Sequence, residues 1–257
     1  MDLSSLFSVT DRRVLVTGGS SGIGLMIAEG FVRAGAEVII ASRKQDAVQQ
    51  ETERLSQFGT CHGLVADLSN EDGCRALAEA VGPIGPINVL VNNAGATWGA
   101  PMDQHTHNVW ERILDLNVEA LFHMTRFLRG DLAGMASKER PSAVINIGSI
   151  DGIRVPEMQT YAYSTSKAAV HHLTRRLAKE LAHSHITVNA IAPGPFPSRM
   201  MAATLDAFQN EIEKATPLGR IGAPEDMAGL AILLASTAGS YITGAIIPVD
   251  GGLATCL

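Results

Sequence analysis

The 257-residue sequence is poor in aromatics, at 5%, and holds three cysteines. A small, odd cysteine count argues against a disulfide framework. Reduced thiols fit an expectation of a cytoplasmic protein. Long apolar runs are missing too: Ala231–Ala235 is typical, against the roughly 20 residues needed to cross a bilayer. There is no basic excess, since 20 Lys and Arg face 26 Asp and Glu for a formal net charge of −6. A nucleic-acid partner normally demands a basic stripe, so none is expected. Residues 1–9 contain neither Lys nor Arg nor a long apolar block, so neither a secretory signal nor a membrane anchor is expected. The histidine pairs His105/His107, His171/His172 and His183/His185 are adjacent or two apart and have no Cys or carboxylate cluster beside them, so no metal site is expected.

What is present is apolar. Hydrophobic residues make up 46%, charged residues 18%, and there are 25 glycines. That composition excludes disorder and allows a large core. Short apolar runs recur, and most are followed by a helical pattern. The runs are 14–17, 38–41, 62–66, 89–91, 143–147, 187–191 and 245–249. The helices are expected near 23–34, 44–58, 70–81, 109–135, 161–182 and 224–236. A Pro-rich segment, Pro193-Gly194-Pro195-Phe196-Pro197, is read as a site loop. Most runs are continuous rather than alternating, which suits parallel strands covered on both faces. Strand–helix alternation implies right-handed βαβ units. The expectation is an α/β fold with a doubly wound, seven-stranded parallel sheet, as one domain over residues 1–257.

Thr17-Gly18-Gly19-Ser20-Ser21-Gly22-Ile23-Gly24 follows the first strand and opens the first helix. Gly18 permits a tight turn. Gly22 lets backbone approach a pyrophosphate, and Gly24 lets the helix pack close to the sheet. The helix N-terminus then offers free N–H groups to phosphate. The second strand ends Ala41-Ser42-Arg43-Lys44. An acidic residue near here would bind unmodified ribose hydroxyls. A hydroxyl, a guanidinium and an ammonium stand there instead, which favours a 2′-phosphate and hence NADP(H) over NAD(H).

Ser149 follows the fifth strand. Tyr163 and Lys167 are four apart, so on a helix they share a face, whereas Tyr161 points off it. A tyrosine of ordinary pKa near 10 is a poor base, and a nearby ammonium lowers that value. The pair can donate a proton to a ketone oxygen, with Ser149 holding that oxygen.

With Asp67-Leu68, Asn92-Asn93-Ala94-Gly95, Asn117, Pro193-Gly194 and Thr243-Gly244…Asp250-Gly251-Gly252, these motifs make the chain resemble a short-chain dehydrogenase/reductase over nearly its whole length. The resemblance implies an oxidoreductase that moves a hydride between NADP(H) and a carbonyl or alcohol. It implies catalytic roles for Asn117, Ser149, Tyr163 and Lys167, with Asn117 holding a water linked to Lys167. The cofactor would meet Gly18, Ser20, Ser21, Gly22, Ile23 and Gly24, then Ser42, Arg43 and Lys44, then Asp67 and Leu68. Asn93, Ala94, Gly95, Tyr163, Lys167, Pro193, Gly194, Phe196 and Ser198 complete the set. Two departures stand out: Ser21 occupies a place where many NADP-type members carry Arg or Lys, and Ser198 stands where a Thr is common. Relatives are usually homotetramers.

Trp98, Ile150, Val155, Met158 and Met200 are the candidate substrate residues, with Pro156 and Met201 beside them. Their apolar character favours an acyl chain or bulky ketone. The segments 97–100, 162–181 and 196–200 resemble 3-ketoacyl reductases of the rhamnolipid-associated type. That implies reduction of a 3-oxoacyl thioester or related β-keto compound, with a sugar-acid or polyol dehydrogenase as the alternative. A non-catalytic NADP-binding regulator would normally lack the Tyr or the Lys, and this chain keeps both.

Overall fold

Runs rich in Val and Ile pack well on a pleated surface, and they form the strands here. The computed structural model describes residues 2–198 and 201–256. In chain order, α1 (Leu3–Leu6) precedes β1 (Arg13–Thr17), α2 (Gly22–Arg33), β2 (Glu37–Ser42) and α3 (Gln45–Leu55). β3 (Cys61–Val65), α4 (Glu71–Val81), β4 (Val89–Asn92), α5 (His107–Leu114) and α6 (Ala120–Gly134) follow. Then come β5 (Ser142–Ile147), α7 (Tyr161–Leu181), β6 (Ile186–Pro193), α8 (Ala202–Ala215), α9 (Pro224–Ala235) and β7 (Ile246–Val249).

The strands form one parallel sheet in the order β3-β2-β1-β4-β5-β6-β7. From β1 the chain winds outward to β2 and β3, then returns to place β4 on the other side of β1. Connections therefore diverge between β1 and β4, and a crevice opens at the carboxyl ends of those strands. Alternation along each strand splits the core into two layers. Val14, Val16, Ile40 and Val91 face Ile27 and Phe31 of α2 and Met227 and Leu234 of α9. Leu15, Ile39, Leu90 and Val144 face Leu77 of α4, Met124 and Leu128 of α6 and Val170 of α7. The seven-stranded, doubly wound expectation holds.

Four details differ from the sequence reading. β3 alternates in burial, and β7 is half-buried throughout. Both are edge strands, so neither is covered like the five between them. The single helix expected over 109–135 is α5 and α6 joined by a π-helical segment, Asp115–Glu119. α8 lies where irregular chain was expected; it departs from helical geometry at Phe208 and buries little beyond Leu205, so its apolar pattern is weak. α1 is a single turn capped by the Asp2 carboxylate, which accepts from the Ser4 and Ser5 amides.

A chain of buried polar side chains crosses the sheet. Asn92 Nδ2 donates to Thr125 Oγ1 at 3.2 Å and to Asn146 Oδ1 at 3.0 Å. Asn146 Nδ2 in turn donates to Thr174 Oγ1 at 2.9 Å. This ties α6, β4, β5 and α7 together at the level where the site begins. Asn146→Ala orphans buried groups on both neighbours, so it should lower the unfolding free energy by about 2 kcal/mol, measured by urea denaturation. A loss inside the roughly 0.5 kcal/mol range of ordinary surface changes would show that the chain contributes little.

Candidate active site

The turn after β1 is held from β4. Thr17 Oγ1 accepts from the Asn93 and Ala94 amides, both at 3.0 Å, and donates to the Val91 carbonyl at 3.3 Å. Asn93 Nδ2 donates to the carbonyls of Thr17 at 2.9 Å and Gly18 at 3.2 Å. Gly18 has φ +67°, which L side chains rarely adopt, and a Cβ there would lie 2.7 Å from Asn93 Nδ2. A Cβ on Gly24 would collide with Asn93 Nδ2 and the Gly18 carbonyl oxygen. The glycines thus let α2 start directly behind the turn. Ser21 caps α2 without a side-chain hydrogen bond, leaving the first amides open to a ligand.

A cavity of about 170 Å³ opens beside this turn. Gly18, Ser20 and Ser21 form one wall, and Ser42, Arg43 and Lys44 form another. Leu68, Ala94 and Gly95 complete it with Ala41, Ala47, Ala66 and Leu116. Ser20 Oγ and Ser42 Oγ are 2.7 Å apart and hydrogen-bonded. Arg43 and Lys44 are exposed, and among the described residues neither forms an ion pair. A glycine cradle, an open helix N-terminus and two uncompensated cations fit a dinucleotide carrying an extra phosphate.

The second half of the site lies at the end of β5. Ser149 Oγ accepts from the Asp151 amide at 3.1 Å, capping the 3-10 turn Ile150–Gly152. The Ser149 hydroxyl faces Tyr163 and by itself would lower the phenol's pKa. Lys167 Nζ donates to the Ile147 carbonyl at 2.8 Å and sits 5.6 Å from the centroid of the Tyr163 ring. Burial pushes the Tyr163 phenol up to about 12, outweighing the opposite influence of Ser149. Burial also pushes the Lys167 ammonium down to about 8, against the attraction of Asp151. Desolvation thus acts against the lowering expected from Lys167, and the phenol is the protonated form at pH 7. A neutral phenol beside a serine hydroxyl is a proton donor. Asp151, half-buried, has its carboxyl raised by desolvation against the pull of Arg154 and Lys167.

Asn117 sits in the π-helical segment, a distortion frequent at functional positions. Its side chain is fully engaged. Oδ1 accepts from the Ala96 amide at 2.8 Å, and Nδ2 donates to the Ala96 carbonyl at 3.0 Å and to Ser166 Oγ at 2.9 Å. Ser166 Oγ donates to the Tyr163 carbonyl at 2.6 Å. The Asn117 side chain thus clamps the loop after β4 to α7.

The other expected residues sit in varied settings. Asp67 is exposed and accepts from the Ser69 amide at 3.1 Å, forming a local turn, while Leu68 beside it lines the cavity. Phe196 is 1% exposed and packs into the core against Gly222, so its ring is withdrawn. Ile150 is likewise buried, at 5%. Ile23 packs against the α2–α9 core layer. Pro193 ends β6, and Gly194 donates to the Val249 carbonyl at 2.9 Å. Ser198 stands over Gly22, 3.2 Å from where a Cβ would be. Trp98, Val155 and Met158 are exposed, with the Arg112 guanidinium 5.6 Å from the Trp98 ring. Arg199 and Met200 lie outside the described residues. Ala47, Ala66, Leu116, Asp151 and His171 escaped the sequence reading. The three apolar ones carry no chemical signal, but Asp151, two residues after Ser149, could have been noticed.

A family model described as enoyl-(acyl carrier protein) reductase matches residues 18–254. The chain belongs to the short-chain dehydrogenase/reductase family. Among short-chain dehydrogenase/reductases it is similar to the rhamnolipids biosynthesis 3-oxoacyl-[acyl-carrier-protein] reductase of Pseudomonas aeruginosa, at 50% identity over 96% of this chain and 97% of that protein. Galactitol 2-dehydrogenase (L-tagatose-forming) of Cereibacter sphaeroides is 35% identical, over 98% of each chain. The Pseudomonas aeruginosa RhlG/NADP active-site complex superposes with a TM-score of 0.94, at 48% identity over 97% of this chain and 99% of that one. No helix among the described residues is long and apolar enough to cross a membrane.

The buried pair leaves a signature in stability against pH. Lys167 has a folded value near 8, below the ordinary 10.5, so its burial cost is present in full below pH 8 and is relieved as pH rises toward 10.5. Tyr163, raised to about 12 from 10, acts oppositely and erodes stability above pH 10. Unfolding midpoints in urea should therefore rise from pH 8 to 10 relative to those of Lys167→Met. Parallel curves for the two proteins would contradict the burial of that ammonium.

Proposed function

We propose that this chain is an NADP(H)-dependent reductase that converts a ketone, a 3-oxoacyl thioester or related β-keto compound, to a secondary alcohol. The observation that carries this reading is the convergence of Ser149, Tyr163 and Lys167 at the end of β5, on the sheet edge that also holds the basic cleft. NADPH, when bound, supplies the hydride. Gly18–Gly24 and the first amides of α2 would hold its pyrophosphate, Ser42, Arg43 and Lys44 its 2′-phosphate, and Leu68 its adenine. Ala94 and Gly95 would meet a ribose, with Asn93 holding the turn. Lys167 would bind the nicotinamide ribose, and Ser198 would contact the nicotinamide end.

Ser149 orients the ketone oxygen by hydrogen bond. Tyr163 gives that oxygen its proton, and its high pKa keeps it protonated for the purpose. Lys167 places a partial positive charge beside the phenol and favours the tyrosinate left behind. Asn117 keeps the loop after β4 and the first turn of α7 in register. Trp98, Val155 and Met158 are apolar and exposed, which suits an acyl chain, and the half-identical relative is named as a 3-oxoacyl reductase. The 35% identity to a galactitol dehydrogenase supports a polyol or sugar-acid dehydrogenase as the second reading. The free cysteines Cys61, Cys74 and Cys256 fit work in a reducing cytoplasm. Half-buried β7 and exposed Phe122 on α6 fit assembly as a homotetramer.

Tyr163→Phe should bind NADPH as the wild type does and lose about 10²-fold or more in kcat; near-normal turnover would reject the mechanism. Arg43→Asp should weaken NADPH binding by about 10-fold or more, as expected for lost charge-assisted hydrogen bonds, while NADH binding changes little. Steady-state rates on a 3-oxoacyl thioester and on a ketogluconate, each with NADPH and NADH, separate the two substrate readings. Preference for the sugar acid would overturn the first.

A further inference from the structure

We infer that His171 is a positioning residue that sets the height of the Ser149 hydroxyl against Tyr163. The inference rests on the reductase reading above and concerns a buried side chain that this reading leaves without a role.

Tyr163, Lys167 and His171 are spaced four apart on α7, so they form one stripe along the helix. All three meet the segment that carries Ser149. Tyr163 meets the Ser149 hydroxyl, and Lys167 Nζ holds the Ile147 carbonyl at 2.8 Å. His171, 5% exposed, lies under both ends of the turn. A Cβ on Gly148 would collide with His171 Nε2 and lie 2.8 Å from Cδ2. A Cβ on Gly152 would lie 2.8 Å from His171 Cε1 and 2.6 Å from the Lys167 carbonyl carbon. The two glycines flanking Ser149-Ile150-Asp151 thus rest directly on the imidazole ring and the α7 backbone.

The turn is bonded within itself. Gly152 N donates to the Ser149 carbonyl at 3.1 Å, Ile153 N to the Ile150 carbonyl at 2.9 Å, and Asp151 N to Ser149 Oγ at 3.1 Å. What lies beneath it therefore decides where the Ser149 hydroxyl sits. The imidazole lies against Gly148 and Gly152, and among the described residues its buried Nε2 has no partner. Such an orphaned polar atom is a cost that an apolar side chain would avoid. What the ring supplies in return is the flat surface on which the Ser149 turn rests.

A double-mutant cycle of His171→Ala with Ser149→Ala tests this, with NADPH and a 3-oxoacyl thioester as substrates. His171→Ala should lower kcat about 10- to 100-fold, the usual effect of a small misplacement of a reacting group, with KM and NADPH affinity unchanged. In the Ser149→Ala background the same change should cost less than about twofold, and His171→Gln should recover part of the loss. Additive losses, or a loss confined to KM or to NADPH affinity, would overturn the inference. A crystal structure of His171→Ala gives a readout independent of turnover. The Ser149 and Tyr163 hydroxyls should move apart, and an unchanged separation would overturn the inference. If the wild type reduces no ketone with NADPH, the reductase reading falls, and the crystal structure alone decides the role of His171.

Discussion

A single hydrogen bond organises the reactive half of this molecule: the Lys167 ammonium donating to the Ile147 carbonyl at the end of β5. An ammonium buried this deeply is costly unless it is paired. The pairing lashes the middle of a long helix to the end of a central strand. Everything that bears chemistry hangs from that attachment. The phenol one turn before Lys167 is delivered to the serine just after the strand, and the imidazole one turn later supports the same segment from below. The cost appears in the lysine's depressed pKa of about 8. The partner effect is a tyrosine kept neutral, which is the form a proton donor needs.

Two polar devices hold the rest of the sheet edge in place. Asn93 and Thr17 tie the glycine turn to the end of β4. Asn92 and Asn146 link the helices on the α6–α7 side through the sheet. The second works in the dry interior, where a satisfied hydrogen bond is strong and an orphaned one expensive, and the first is half-buried beside the cleft. They therefore fix position with little tolerance. The cofactor cleft and the reactive pair are built on neighbouring strand ends, so a hydride donor held in the first would come to a carbonyl held by the second. Asn117 adds a third tie, clamping the loop after β4 to Ser166 and so to the backbone of Tyr163 itself.

The strands were legible because central parallel strands must be apolar on both faces, and runs such as Val14–Val16 and Val89–Val91 can do nothing else. The edges were less legible: β3 alternates and β7 is half-exposed, because only one side of each has a neighbouring strand. The break between α5 and α6 left no mark in the hydrophobic pattern, since a π-helical segment inserts one residue without changing composition. α8 was missed because it buries so little. Among site residues, glycines and the Tyr163/Lys167 pair carry their geometry in their spacing. Phe196 misled, because an aromatic in a Pro-rich loop reads as a ligand contact, and here the ring turns into the core beside Gly222.

The sequence by itself determined the sheet, the winding and the chemical types at the strand ends, because periodicity and glycine spacing are local properties. Only the tertiary structure decided what those groups do electrostatically. Whether Lys167 lowers the Tyr163 pKa or burial raises it depends on how much water is excluded around both, which no spacing encodes. The same holds for His171, which the sequence shows only as one of two adjacent histidines. It acquires a role because folding brings Gly148 and Gly152 down onto its ring. Contacts made across long stretches of chain, through backbone that has no side chain to read, are fixed by packing alone.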